Sequence, residues 1–143
     1  MKKLTKENVQ EKVREVLVSR AEVRFAYLFG SRVEEVSRPE SDLDLAIYLD
    51  KERIQKLDPL FETKLALEIE KAIDETFEVD ILVLNRAPLT LKYQATDKGE
   101  LIYYRDEAEA RDYEALIRKK YFDFSPMRKE YNEERSKRYG VSG

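Results

Sequence analysis

The chain has 143 residues, a net charge of −3, 40% charged residues, and neither cysteine nor histidine. That length suits one domain, and the missing thiols and imidazoles exclude disulfides, a zinc centre, a Ser-His-Asp triad and a histidine general base. Charges of both signs are intermixed, as on a solvated surface, and no apolar run approaches the roughly 18 residues that a membrane span needs.

A first helix is expected over 5–19, with Val9, Val13, Val16 and Leu17 on one face. Val23 to Phe29 is rich in β-branched and aromatic residues and reads as a strand, stopped by the turn signal Gly30-Ser31. A polar loop or short helix covers 32–41. Asp42 to Leu49 alternates, with Leu43, Leu45, Ile47 and Leu49 on one face and Asp42 and Asp44 on the other. Asp58-Pro59 reads as a helix start, and Leu60, Leu65, Leu67, Ile69 and Ile73 give that helix an apolar side. Glu78 to Leu84 is a third strand. Pro88 opens a short helix that Gly99 stops, and Leu101 to Tyr104 is a fourth strand. Asp106 with Glu109 resembles a capping box, opening a helix that carries Ala110, Tyr113, Leu116, Ile117 and Tyr121. Pro126 is expected to break it, with a charged tail helix over 127–139. The order predicts an α/β (α+β) fold: a mixed four-stranded sheet with helices packed on it, in one domain over 1–143 whose residues 106–143 form a C-terminal helical segment.

Three features carry chemistry: Gly30-Ser31 after a strand, Asp42-Leu43-Asp44 opening the next, and Asp80 among the apolar residues of the third. Carboxylates at i and i+2 of a strand point the same way and repel unless a cation lies between them. Oxygen ligands without His or Cys select a hard ion, Mg²⁺ or Mn²⁺. A third carboxylate from a neighbouring strand would let two metals be shared, the arrangement that clamps an in-line phosphoryl displacement. The Gly-Ser turn offers backbone N–H groups and a hydroxyl to phosphates. Taken singly, an Asp-x-Asp is most often surface charge, a Gly-Ser only a turn, and a strand Asp a solvent-facing edge position; their combination in a strand, turn, strand context is what singles them out.

Phe29-Gly30-Ser31-Arg32, then Pro39-Glu40-Ser41-Asp42-Leu43-Asp44-Leu45-Ala46-Ile47, resembles the signature of the DNA polymerase β-type nucleotidyltransferases, and within them the minimal nucleotidyltransferase (MNT) domains. The resemblance spans about Val23 to Tyr104. It implies the nucleotidyltransferase fold, ATP as donor, two Mg²⁺ ions and release of pyrophosphate. By position, Gly30 and Ser31 would hold the donor phosphates, with Arg32 as a further phosphate contact. Asp42 and Asp44 would bind both metals, and Asp80 would bind the catalytic metal and help deprotonate the acceptor hydroxyl.

Larger relatives add a substrate-binding domain for which this length leaves no room, so the acceptor is expected in trans. The resemblance implies an antitoxin that neutralises a HEPN ribonuclease toxin by transferring AMP to a toxin tyrosine, as well as by contact. Two other classes stay open: a nucleotidyltransferase acting on an RNA end or a small molecule, and a non-catalytic antitoxin acting by binding alone. The segment from Arg118 to Arg138 holds eight Lys or Arg against four Asp or Glu, interleaved with Tyr121, Phe122, Phe124 and Tyr131. That mixture favours a protein-partner surface over RNA readout. The start, Met-Lys-Lys-Leu-Thr-Lys, lacks a signal-peptide apolar core, and a cytoplasmic location is expected.

Overall fold

The computed structural model describes residues 6–29, 42–73 and 78–139, with side chains over 7–29, 43–73 and 78–124. Helix α1 (Lys6–Val18) leads into β1 (Val23–Phe29); β2 (Asp42–Leu49) precedes α2 (Phe61–Ala72); β3 (Glu78–Val83), α3 (Leu89–Lys98), β4 (Glu100–Tyr104) and α4 (Glu107–Tyr139) follow. The sheet order is β3-β2-β1-β4. Strand β1 is antiparallel to β2 and to β4, whereas β2 and β3 run parallel, so the sheet is mixed, as expected. The parallel pair needs a long crossover, and α2 supplies it.

Helices cover both faces of the sheet. On one side Val9, Val13, Val16 and Leu17 of α1 and Phe61, Leu65, Ile69 and Ile73 of α2 pack on Ala26, Leu28, Leu43, Leu45, Ile47, Val79 and Val83. On the other, Ala95 of α3 and Ala110 and Tyr113 of α4 pack on Phe25, Tyr27, Ala46 and Tyr48. The strand period of two therefore sorts β2, sending its leucines and Ile47 to the α1/α2 side and Ala46 and Tyr48 to the α3/α4 side. Strand β1 has both sides covered, and Phe25, Ala26, Tyr27 and Leu28 are all buried.

Several local expectations need correction. Leu60, Leu67 and Leu116, placed above on apolar faces, are about half exposed. The buried stripe of α2 runs instead Phe61, Leu65, Ile69, Ile73, in steps of four. The Asp58 carboxylate does accept the Leu60 N–H at 2.8 Å, but the helix begins only at Phe61. At α4, Asp106 accepts the Ala108 N–H at 3.0 Å, while Glu109 pairs with Arg24 at 3.0 Å instead of turning back to close a capping box. Helix α4 also continues through Pro126 to Tyr139. A proline inside a helix takes away one hydrogen bond, here the one to the Phe122 carbonyl. Phe122 is exposed, so water can take over that carbonyl, and the helix can bend without breaking. Gly99 ends α3, as expected, though not through a left-handed conformation. A Cβ there would lie 2.1 Å from the Ala95 carbonyl oxygen and 3.2 Å from the Phe29 Cβ, so the close approach excludes any side chain.

Candidate active site

Because β1 runs against its neighbours, its carboxyl end meets the amino ends of the other strands. Phe29, the last residue of β1, lies opposite Asp44. On the other flank of β2, Asp44 lies directly opposite Asp80 of β3, and Asp42 opposite Glu78. Asp44 and Asp80 are thus direct cross-strand partners, on the side of the sheet that Phe29, Ala46 and Tyr48 share. Asp44 is half-buried and Asp80 exposed at the sheet edge.

Each position is fixed from more than one side. Buried Leu43 and Leu45 flank Asp44 and anchor β2 in the core. The edge strand β3 is pinned at its start by the Glu70 carboxylate, which accepts the Val79 N–H at 3.1 Å. At the far end Asn85 accepts the Leu49 N–H at 2.8 Å and donates to the Leu49 carbonyl at 2.9 Å. These two clamps hold the β2–β3 register that sets Asp44 against Asp80.

Neighbouring strands lie about 4.8 Å apart, so two ionised carboxylates facing each other across them repel, and a divalent cation between them reverses the sign of the interaction. A donor set of carboxylates without imidazole or thiol suits a hard ion such as Mg²⁺. Among the described residues no group of three potential metal ligands gathers. The described side chains contribute the Asp44–Asp80 pair, and Asp42 stands at the first position of β2, two residues before Asp44. Gly30, Ser31 and Arg32 lie outside the described residues.

The register adds one acidic residue that sequence reasoning missed. Glu78 is exposed, sits two residues before Asp80 and faces Asp42; strand alternation on β3 was the available signal. Beside Asp80 a cavity of about 300 Å³ opens between α2 and β3, walled by Thr63, Ala66, Leu67 and Glu70 on one side and Val79 and Ile81 on the other.

The family model described as polymerase beta, nucleotidyltransferase, matches residues 11–108, which include β1 through β4. No curated protein matches the chain. Among solved structures, the crystal structure of the toxin–antitoxin MntA-HepT aligns with a TM-score of 0.67 and 20% identity, over 90% of this chain and 97% of that one. A structure of the tri-AMPylated Shewanella oneidensis HEPN toxin in complex with MNT antitoxin aligns with a TM-score of 0.70 and 20% identity, over 91% and 98%. A toxin–antitoxin crystal structure with AMP-PNP aligns with a TM-score of 0.66 and 21% identity, over 92% and 98%. At these identities the likeness is one of fold.

Proposed function

Because the chain belongs to the polymerase β nucleotidyltransferase family, we propose that it is an MNT-type antitoxin that transfers AMP from ATP to a tyrosine hydroxyl of a HEPN ribonuclease toxin. The observation that carries this reading is the register that sets Asp44 of β2 against Asp80 of β3, within the stretch matched by the family. The partner and the donor are supported by proteins of the same fold: an MNT antitoxin in complex with an AMPylated HEPN toxin, and a toxin–antitoxin with AMP-PNP.

In the proposed reaction the acceptor's phenolic oxygen attacks the α-phosphorus of ATP. A new P–O bond forms, the bond from that phosphorus to the bridging oxygen breaks, and pyrophosphate leaves with the electron pair. The hydroxyl proton passes to the Asp80 carboxylate and then to water. Two Mg²⁺ ions, replaceable by Mn²⁺, held by Asp42, Asp44 and Asp80 would neutralise charge on the transferring phosphoryl group and on the leaving pyrophosphate. Gly30 and Ser31 bind the donor phosphates through backbone N–H groups and a hydroxyl, and Arg32 adds a charge-assisted contact. Asp80 stands on the open edge of the sheet, so a macromolecular acceptor can approach it from the β3 side. No helix among the described residues is long and apolar enough to cross a membrane, in keeping with a cytoplasmic role.

The test is co-expression with a HEPN protein, sought in the gene beside it, followed by intact-mass analysis of that partner. The expected result is one or more added adenylate groups with the wild-type chain, and none with Asp42→Asn/Asp44→Asn. A partner that the double variant silences without modification would overturn catalysis in favour of neutralisation by binding. AMP found only on RNA or on a small hydroxylated compound would overturn the protein acceptor.

A further inference from the structure

A second cavity, of about 390 Å³, opens at the opposite end of β2 from the carboxylates. Its walls include Tyr48 from the end of β2, Lys51 just beyond it, Arg86 after β3, Lys92 on α3 and Lys120 on α4. Among the described residues no carboxylate lines it. Tyr48 is four residues from Asp44 on the same strand, so the two sites are separated by about 13 Å at 3.3 Å per residue.

We propose that this cavity is a second nucleotide site, which binds a free nucleoside triphosphate without a metal ion. Four cations from four separate segments converge on one concavity in a protein whose net charge is −3. Among the described residues Lys51, Lys92 and Lys120 form no ion pair, and Arg86 shares only an exposed one, with Glu62 at 3.3 Å. Like charges gathered this way repel, and a polyanion relieves that repulsion. The remaining wall suits a base. The Tyr48 ring stacks on Phe25 with centroids 4.8 Å apart and planes within 2°, and Tyr113 leans on Tyr48 at 4.9 Å. This fixed aromatic surface, continued by Leu116 and Ile117, supplies the apolar contact that a nucleobase needs, while the lysines stand where phosphates would lie. The volume falls within the range of small-ligand sites and accommodates one nucleotide rather than a strand. The occupant would touch the ends of β2 and β3, the strands that carry Asp44 and Asp80, beside the Asn85–Leu49 clamp.

The inference stands apart from the donor-site assignment, and the experiment separates the two. Isothermal titration with ATP in EDTA should show one binding site in the wild-type protein. Asp42→Asn/Asp44→Asn should retain it, and Lys92→Glu/Lys120→Glu should weaken it by roughly tenfold or more, the scale expected of a phosphate facing a reversed charge. Inorganic triphosphate should bind more weakly than ATP, because it leaves the aromatic wall unused. Photo-crosslinking with 8-azido-ATP in EDTA gives a reading on the unmutated protein, and label should appear on peptides containing Tyr113 or Lys120. The proposal is overturned by no metal-free ATP binding at millimolar concentration, by unchanged affinity in a folded Lys92→Glu/Lys120→Glu variant, by label confined to residues before Leu45, or by a short ribo-oligonucleotide that binds there more tightly than ATP.

Discussion

Replacing Asp80 by asparagine keeps the side chain's shape and removes one charge from the pair that faces Asp44 across β2 and β3. Facing carboxylates on adjacent strands are separated by about 5 Å. Their repulsion is about 1 kcal/mol at the dielectric of water, and the exposure of Asp80 keeps it near that limit. The unfolded chain holds the two groups far apart on average. In EDTA at neutral pH, Asp80→Asn should therefore raise the unfolding free energy by up to about 1 kcal/mol and the melting temperature by a few degrees, with the gain shrinking at high salt. With Mg²⁺ and ATP present both proteins should gain nearly the same further stability, because Asp42 and Asp44, which the variant keeps, are the proposed holders of the donor complex. AMP transfer should fall by about two to four orders of magnitude, the usual scale for losing a general base. Urea unfolding with and without Mg-ATP, alongside single-turnover transfer, measures all three quantities. An Asp80→Asn protein no more stable than wild type in EDTA would refute the claim that the two carboxylates are held facing each other.

Three further outcomes are expected. Burial raises the hydroxyl pKa of Tyr27 above its ordinary 10.0, assisted by its hydrogen bond to Glu114 at 2.6 Å, and burial likewise raises that of Tyr113. Above pH 10 the unfolded chain releases protons that the native state keeps, so stability present below pH 10 is lost as pH rises, by about 1.4 kcal/mol per pH unit for each tyrosine; urea midpoints at pH 10 to 11 should show Tyr27→Phe losing one such slope, and an unchanged slope would count against the assignment. Gly99→Ala should cost about 1–3 kcal/mol or more, since its Cβ would collide with the Ala95 carbonyl oxygen; a thermal melt within a degree of wild type would contradict that. Truncation after Tyr121 spares both core clusters and the stack of Tyr121 on Tyr93 at 3.9 Å, so it should leave the melting temperature nearly unchanged while weakening the toxin complex in a pull-down titration.

The alternation of β2 was legible because period two is local: four apolar residues on one face leave Asp44 on the other, whatever the rest of the chain does. The Asp44–Asp80 pairing was not legible, because the 35 residues between them (Leu45–Val79) fix neither register nor direction. Only the helical crossover hinted at a parallel pair. Glu78 was missed for the same reason, since its importance depends on facing Asp42. Leu60, Leu67 and Leu116 were misplaced because a leucine at helical spacing satisfies a periodicity argument from either side of the buried stripe, and only the neighbouring element decides. Glu109 had the local spacing of a capping box, yet Arg24, 85 residues earlier, claims it. Helix α4 passes Pro126 because local propensity sets only a cost, which an exposed helix can offset with water.

The topology itself argues for where chemistry can occur. In an all-parallel sheet the carboxyl end of β1 would lie at the far edge from the starts of β2 and β3. Here β1 alone is reversed, so Phe29 lies level with Asp44, and Asp44 with Asp80. Strand β1 therefore ends, at Phe29, in the position facing Asp44. A donor phosphate beside the end of β1, as proposed above, would meet Asp44 before it met Asp80, which stands one strand further out, on the open edge. Donor on the inner strands and acceptor from the outer edge is the order that an in-line displacement requires, with the attacking and leaving oxygens on opposite sides of phosphorus. Removing only the outer acid, by Asp80→Asn, keeps a carboxylate on the inner strand, and should preserve metal-dependent ATP binding while losing transfer. The reciprocal Asp44→Asn with Asp80 intact should lose both. Equal effects of the two on ATP affinity, measured by titration in Mg²⁺, would mean that donor and acceptor are not divided between the strands in this way.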